Sequence, residues 1–158
     1  MITFDEGKAR FNYRVVAVAS EGNRVLVHRA EGDDFWTLPG GRGELLEPAK
    51  ETLRREMREE LGVEVDVGRL VWVVENFFEY EKMSYHELAL YFLISLPENS
   101  PLYEEDEFPG DEEGVKLIFK WFPLDELEGI RLYPTFLRQA LKAIPEAPEY
   151  IVHTDSKG

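Results

Sequence analysis

The chain has 158 residues, of which 44% are hydrophobic and 13% aromatic. That is the scale of one domain with a sizeable core, and it is too apolar for a disordered chain. Lys and Arg number 18 against 32 Asp and Glu, a net charge of -14, so a nucleic-acid backbone or an anionic membrane surface is excluded as a main partner, because both repel such a protein. There is no cysteine, which removes disulfides, thiolate metal sites and thiol nucleophiles and suits a reducing, cytoplasmic setting.

In chain order, the N-terminus carries Asp5 and Glu6 where an export signal would be basic and then apolar, so none is expected. No apolar run reaches the roughly 20 residues that a membrane helix needs. Arg14–Ala19 is β-branched and reads as a strand; Glu21-Gly22-Asn23 reads as a turn, and Arg24–Arg29 as the returning strand of a hairpin. An acidic stretch leads into Phe35-Trp36-Thr37-Leu38 and then Pro39-Gly40-Gly41-Arg42-Gly43, a loop able to approach a ligand closely. Pro48 opens a helix over Ala49–Leu61, and Gly62 ends it. Val63–Val67, Leu70–Tyr80 and His86–Leu96 follow as strands, the latter two apolar on both faces. Pro97–Gly114 is an acidic loop without a period, Val115–Trp121 a strand, and Pro134–Ala143 a second helix with Phe136, Leu137, Ala140 and Leu141 on one side. One domain is expected over residues 1–145. Residues 146–158 are expected as a loosely attached tail, with an edge strand at Tyr150–Val152 as the alternative. The element order is not a βαβ alternation, which points to α+β or a sandwich with a mixed sheet.

On a wheel of 3.6 residues per turn, Ala49, Leu53, Met57 and Leu61 form the apolar stripe of the first helix. Glu56 and Glu60 stand at the edge of that stripe, one above the other, with Glu59 three residues from Glu56. Like charges at this spacing destabilise a helix, and a divalent cation removes that cost. Carboxylate oxygens are hard ligands suited to Mg²⁺ or Mn²⁺, and Mg²⁺ commonly completes its shell with phosphate oxygens. The bland alternative is a solvated face of ion pairs, which is what most charge runs are.

The wider pattern decides between them. From Gly41 the chain runs through Glu47, Arg55-Glu56, Met57, Glu59-Glu60, Leu61 and Gly62 to the aliphatic Val63. This resembles the Nudix box of the Nudix hydrolase family at every specified position, and Trp36-Thr37-Leu38-Pro39-Gly40 resembles the family's approach to it. The resemblance implies an α/β/α sandwich with a mixed sheet flanked by helices. It also implies Mg²⁺- or Mn²⁺-dependent hydrolysis of a small nucleoside diphosphate linked to another moiety. By that resemblance Glu56, Glu59 and Glu60 match metal-ligand and base positions, Gly40 a backbone carbonyl ligand, and Arg55 with Glu47 a pair that orients the helix.

Outside the box, Glu75, His86, Arg29 and Trp36 are candidates for substrate contact, each balanced by an ordinary structural role. In some Nudix enzymes a loop Glu outside the box acts as general base. Glu104, Glu105, another member of the acidic loop and a box residue all stand open for that part. The rival functions are a Nudix-fold module that binds a nucleotide without cleaving it, and a carboxylate-rich domain that binds Ca²⁺ for stability.

Overall fold

The computed structural model describes residues 1–155. Its elements are β1 (Thr3–Glu6), β2 (Ala9–Glu21), β3 (Arg24–Ala30), β4 (Gly40–Arg42), α1 (Ala49–Leu61), β5 (Asp66–Tyr80), β6 (Met83–Ser95), β7 (Glu107–Glu112), β8 (Val115–Pro123), α2 (Leu137–Ala140) and β9 (Glu149–Thr154). Short 3₁₀ turns cover Pro101–Glu104 and Leu124–Gly129.

The strands run in the order β7-β8-β3-β2-β6-β5-β9, with β1 and β4 also paired to β2. Strands β2 and β6 are parallel, as are β5 and β9, while the remaining pairs are antiparallel, so the sheet is mixed. Strand β2 meets β3 only at Ser20–Val25 and Glu21–Arg24. Further back, β2 is bordered by β4 instead, at Arg14–Arg42 through Val16–Gly40. The sheet therefore parts between β3 and β4, and the parting opens a cleft beside α1.

Successive strand residues point to opposite faces. Val15, Ala17, Leu26, Phe92 and Phe119 bury one face under Leu53 and Met57 of α1. Val16, Val18, Val25, Trp72 and Val74 bury the other under Leu127, Leu132, Leu137 and Leu141. The result is an α+β sandwich with a central mixed sheet. Leu53 and Met57 are fully buried, each contributing about 1.5–3 kcal/mol.

Several boundaries differ from the sequence expectation. The segment read as one acidic loop, Pro97–Gly114, contains a 3₁₀ turn and β7, whose Phe108 is buried against Phe119. Pro109 breaks its apolar alternation and is tolerated because β7 is an edge strand. Of the expected strand Val63–Val67 only Asp66 and Val67 are extended in the sheet, and they join Leu70–Tyr80 in the single strand β5, kinked by register shifts on either side of Leu70. The second helix shrinks to Leu137–Ala140, flanked by i→i+3 bonds such as Leu137 N–H to the Pro134 carbonyl. The segment after 145 is not loose where it is described: Glu149–Thr154 docks as β9 alongside β5, which is the edge-strand alternative. Residues 156–158 of that expected tail lie outside the described residues. Among the described residues no helix is long and apolar enough to cross a membrane.

Candidate active site

Helix α1 starts after Pro48, whose extended backbone leads into the first turn, and stops at Gly62, which takes the left-handed conformation at φ 68° and returns its N–H to the Arg58 carbonyl. Because Leu53 and Met57 anchor one stripe, Glu56 and Glu60 are carried inward to the cleft rather than outward. Glu56 is 9% exposed and Glu60 only 4%.

Gly41 explains how a buried Glu56 fits. A Cβ at that position would stand 2.2 Å from the Glu56 carboxyl carbon, so only glycine allows β4 and the carboxylate to lie so close. Gly40 has a different constraint. Its φ is 153°, and a Cβ there would meet the Val15 carbonyl oxygen at 2.2 Å. The two glycines thus let β4 pair with β2 while the carboxylate lies against it.

Arg55 holds the cluster in place. Its Nε donates to Glu47 Oε2 at 2.9 Å and its Nη2 to Glu47 Oε1 at 3.1 Å, a bidentate contact that fixes both side chains. Its Nη1 donates to Glu56 Oε1 at 2.8 Å and to Glu59 Oε2 at 3.4 Å. Its Nη2 also reaches the Arg42 carbonyl at 3.3 Å. Glu47 accepts from the Thr52 hydroxyl as well, and the guanidinium of Arg55 holds its carboxyl below the usual range.

The third carboxylate comes from outside the helix. Oxygens of Glu56, Glu60 and Glu112 lie within 4.8 Å of one another. Glu112 ends β7 and is delivered by a two-residue hairpin, Glu113-Gly114, with φ of 48° and 87°. Both oxygens of Glu60 are buried and have no hydrogen-bond partner, and His28 Nδ1 stands 3.6 Å away, also unpaired. Burial, with Glu56 and Glu112 adding repulsion, pushes the Glu60 carboxyl up to about 10. Burial and the nearby Arg14 push His28 down to about 3, so its ring is neutral. Hard oxygens that converge, with both of Glu60's unpaired, fit a divalent cation that would be shared by all three carboxylates.

The cleft is also lined by Glu59, Arg14, Arg42 and Arg55. Arg14, on β2, donates to the Leu38 carbonyl at 3.2 Å. Two residues back, Asn12 pairs in register with Glu87 of β6, and Glu87 with Asn76 of β5. These three side chains form a polar row on the face that also carries Val16 and Trp72. Burial pushes the Glu87 carboxyl up within that row.

Of the residues singled out in the sequence, the structure thus gathers Gly40, Gly41, Glu47, Arg55, Glu56, Glu59 and Glu60 around one cleft. The others lie elsewhere. Arg29 spends its Nη1 on the carbonyls of Glu31 and Asp33 and covers the Trp36 ring, which packs edge-on against Phe122. Glu75 and His86 contact each other at 3.3 Å and Glu75 also accepts from Tyr150, on the sheet face opposite Asn76 and Glu87. Glu104 closes the first 3₁₀ turn and Glu105 follows it, both exposed and outside the cleft lining. The sequence pattern singles out neither Arg14 nor Arg42, and it does not distinguish Glu112 from the other acidic residues of Pro97–Gly114. The Glu113-Gly114 pair before the apolar alternation of Val115–Trp121 was the signal that Glu112 ends a hairpin strand.

A family model described as the NUDIX domain matches residues 9–144. Among curated relatives, the chain is 25% identical over 118 residues to the 8-oxo-dGTP diphosphatase of Buchnera aphidicola subsp. Schizaphis graminum (strain Sg), covering 72% of this chain and 78% of that one. It is 32% identical over 76 residues to the putative ADP-ribose pyrophosphatase YjhB of Bacillus subtilis (strain 168), covering 47% of this chain but only 36% of that protein's length. Among solved structures, a NUDIX hydrolase from Nitrosomonas europaea superposes with a TM-score of 0.62 at 19% identity, covering 92% of this chain and 79% of that one. A UDP-X diphosphatase superposes with a TM-score of 0.61 at 22% identity, covering 89% of this chain and 66% of that one. At these identities the structural likenesses speak to the fold alone.

Proposed function

The chain belongs to the NUDIX domain family, and from that premise we propose that it is a metal-dependent pyrophosphohydrolase that cleaves the phosphoanhydride bond of a nucleoside diphosphate linked to another moiety. The observation that carries this reading is the convergence of Glu56, Glu60 and Glu112, with both Glu60 oxygens buried and unpaired.

Glu56, Glu60 and Glu112 would hold the cation, with Glu59 and the Gly40 carbonyl as further ligands; Mg²⁺ or Mn²⁺ suits such oxygens better than softer metals. Bound there, a divalent cation would neutralise diphosphate charge and polarise the phosphoryl oxygens. Arg55 keeps Glu56 aimed into the cleft, and Glu47 keeps Arg55 from swinging away. Arg14 and Arg42, with Arg55, supply positive charge at a cleft wall whose other charged side chains are carboxylates. Glu112 is our candidate for the group that takes the proton of the attacking water on one of its carboxylate oxygens. Its pKa is raised, chiefly by burial; Arg14 pulls it down, while Glu56 and Glu113 push it up. The absence of cysteine suits a reducing cytoplasm as the setting.

The relatives named for 8-oxo-dGTP, ADP-ribose and UDP-X span different substrates, so the test is a panel. Nucleoside triphosphates, ADP-ribose, dinucleoside polyphosphates and sugar nucleotides are incubated with the protein and Mg²⁺, and phosphate or nucleoside monophosphate release is followed. Release from at least one of them, abolished by chelator, is the expected result. Binding without release across the panel would replace the hydrolase reading with that of a nucleotide-binding module.

A further inference from the structure

Among the described residues, four buried side-chain nitrogens and oxygens lack a hydrogen-bond partner, and three of them meet in one place: His28 Nδ1 and both carboxyl oxygens of Glu60. His28 Nδ1 stands 3.6 Å from Glu60 Oε1. Buried polar atoms are nearly always paired, so three that face one another call for a reason. The ring of His28 is held from both edges of β3. Its N–H donates to the Thr37 carbonyl at 2.8 Å, and its carbonyl accepts from the Thr37 N–H at 2.9 Å. On the other edge His28 is in register with Phe119 of β8, and the two rings pack at 5.1 Å. A Cβ at Gly110 of β7 would stand 2.4 Å from the Phe119 ring and 3.0 Å from the Glu60 carbonyl oxygen. The same close contact thus locks the ring that backs His28 and the helix turn that carries Glu60.

His28 stands behind Glu60 and not among the ligands. Oxygens of Glu56, Glu60 and Glu112 lie within 4.8 Å of one another, and His28, although close to Glu60, is not part of that group. Nor does it line the cleft, so it reaches the site only through Glu60. A buried carboxylate that gives one oxygen to a cation still has the other to satisfy, and an ionised oxygen without a donor is costly in a dry interior. Arg55 serves Glu47, Glu56 and Glu59 and leaves Glu60 without a donor. A shift of about 0.4–0.7 Å would bring His28 Nδ1 within hydrogen-bond range of Glu60 Oε1.

We propose that His28 is a positioning residue for the cation site: as the tautomer protonated at Nδ1, it donates to Glu60 Oε1 and frees the other Glu60 oxygen for the cation shared with Glu56 and Glu112. The inference rests on the metal-dependent hydrolase reading, and it names the group that orients the most deeply buried carboxylate of the three. Arg55 orients Glu56 from within α1, and His28 orients Glu60 from β3.

Calorimetric titration of the full chain with Mn²⁺, in the absence of nucleotide, tests it without turnover. His28→Asn carries an amide N–H to the place of Nδ1, His28→Gln carries it to the place of Nε2, and His28→Phe keeps a ring against Phe119 with no donor. His28→Phe and His28→Gln should each weaken Mn²⁺ binding by about 10- to 100-fold, the range for partners that orient metal ligands, while His28→Asn should stay within about threefold of the unaltered protein. In a Glu60→Gln background His28→Phe should add no further loss, because the two side chains act as a unit. Melting curves in chelator confirm folding, and the contrast between Asn and Gln stands even where the Phe variant does not fold. A packing role alone gives the opposite order, with His28→Phe nearest the unaltered protein. Unchanged Mn²⁺ affinity in folded His28→Phe and His28→Gln, or equal losses in His28→Asn and His28→Gln, overturns the proposal and leaves the hydrolase reading standing. Binding lost in Phe and Gln and kept in Asn, with no hydrolysis of any panel compound, upholds the role of His28 and removes the hydrolase reading instead. No Mn²⁺ binding by the unaltered protein overturns both.

Discussion

Arg55 and Glu47 face each other across a bidentate contact of 2.9 Å and 3.1 Å, and the same guanidinium is the donor that fixes Glu56 at 2.8 Å. An arginine shared in this way transmits geometry: its plane is set by one carboxylate and it sets the position of the other. Arg55→Ala should therefore lower turnover by about tenfold or more, within the range seen for partners that orient ligands. Arg58→Ala should leave turnover unchanged, because Arg58 pairs on the outer face with the exposed Glu64. Steady-state rates of the two variants, with melting temperatures to confirm folding, check the contrast.

Gly41→Ala isolates the close approach of β4 to the helix. The added methyl would sit 2.2 Å from the Glu56 carboxyl carbon, which lies at the far end of a flexible side chain. The carboxylate should be displaced while the backbone holds. We expect turnover to drop by at least about tenfold and the metal-induced rise in melting temperature to shrink, with the metal-free melting temperature little changed. Rates and thermal shifts with and without Mg²⁺ measure all three.

The buried Glu60 gives the metal-free protein a pH signature. Its folded pKa is raised from 4.5 to about 10, so across that window the unfolded chain has released a proton that the folded chain still holds. Stability supplied through this group is therefore greatest at the acid end and falls as pH rises. Glu60→Gln should flatten the decline in melting temperature between pH 6 and pH 9 in chelator. In the unmodified protein the stabilisation by Mg²⁺ should be larger at pH 9 than at pH 6, because the cation needs the ionised carboxylate. A pH series of melting curves for both proteins reads the difference.

How far the sequence reached depends on the range of the interaction. The first helix, its caps and its inward-facing glutamates were legible, because Pro48, Gly62 and the Leu53–Met57 stripe act within a few turns of chain. The mixed sheet was legible as a class, since β5 and β6 are apolar on both faces. The short extent of α2 was not: its i→i+3 bonds and its anchoring by Leu137 and Leu141 are set by packing against Leu127 and Leu132, which propensity does not register. Glu112 was hidden for a related reason. Eight acidic residues between Pro97 and Gly114 look alike until the Glu113-Gly114 turn and the pairing of β7 with β8 choose the one that meets Glu56. Glu75 and His86 contact each other outside the cleft lining: alternation along β6 gives His86 the same face as Phe92, but it does not say which tertiary neighbours that end of the sheet meets.

The central claim is that Glu56, Glu60 and Glu112 act together as a cation-dependent hydrolytic site. The most direct measurement is turnover and melting temperature, with and without Mg²⁺, for Glu56→Gln, Glu60→Gln and Glu112→Gln, with Glu104→Gln as the control from the same acidic segment. The account predicts a loss of about 10²-fold or more in turnover for each of the three and a reduced thermal response to Mg²⁺. Their metal-free melting temperatures should be level or higher, because Glu56→Gln and Glu112→Gln remove a like charge and Glu60→Gln replaces a carboxyl that burial already keeps protonated. Glu104→Gln should match the unmodified protein in both readouts. Near-normal turnover and an unchanged Mg²⁺ response in Glu56→Gln and Glu60→Gln would contradict the account.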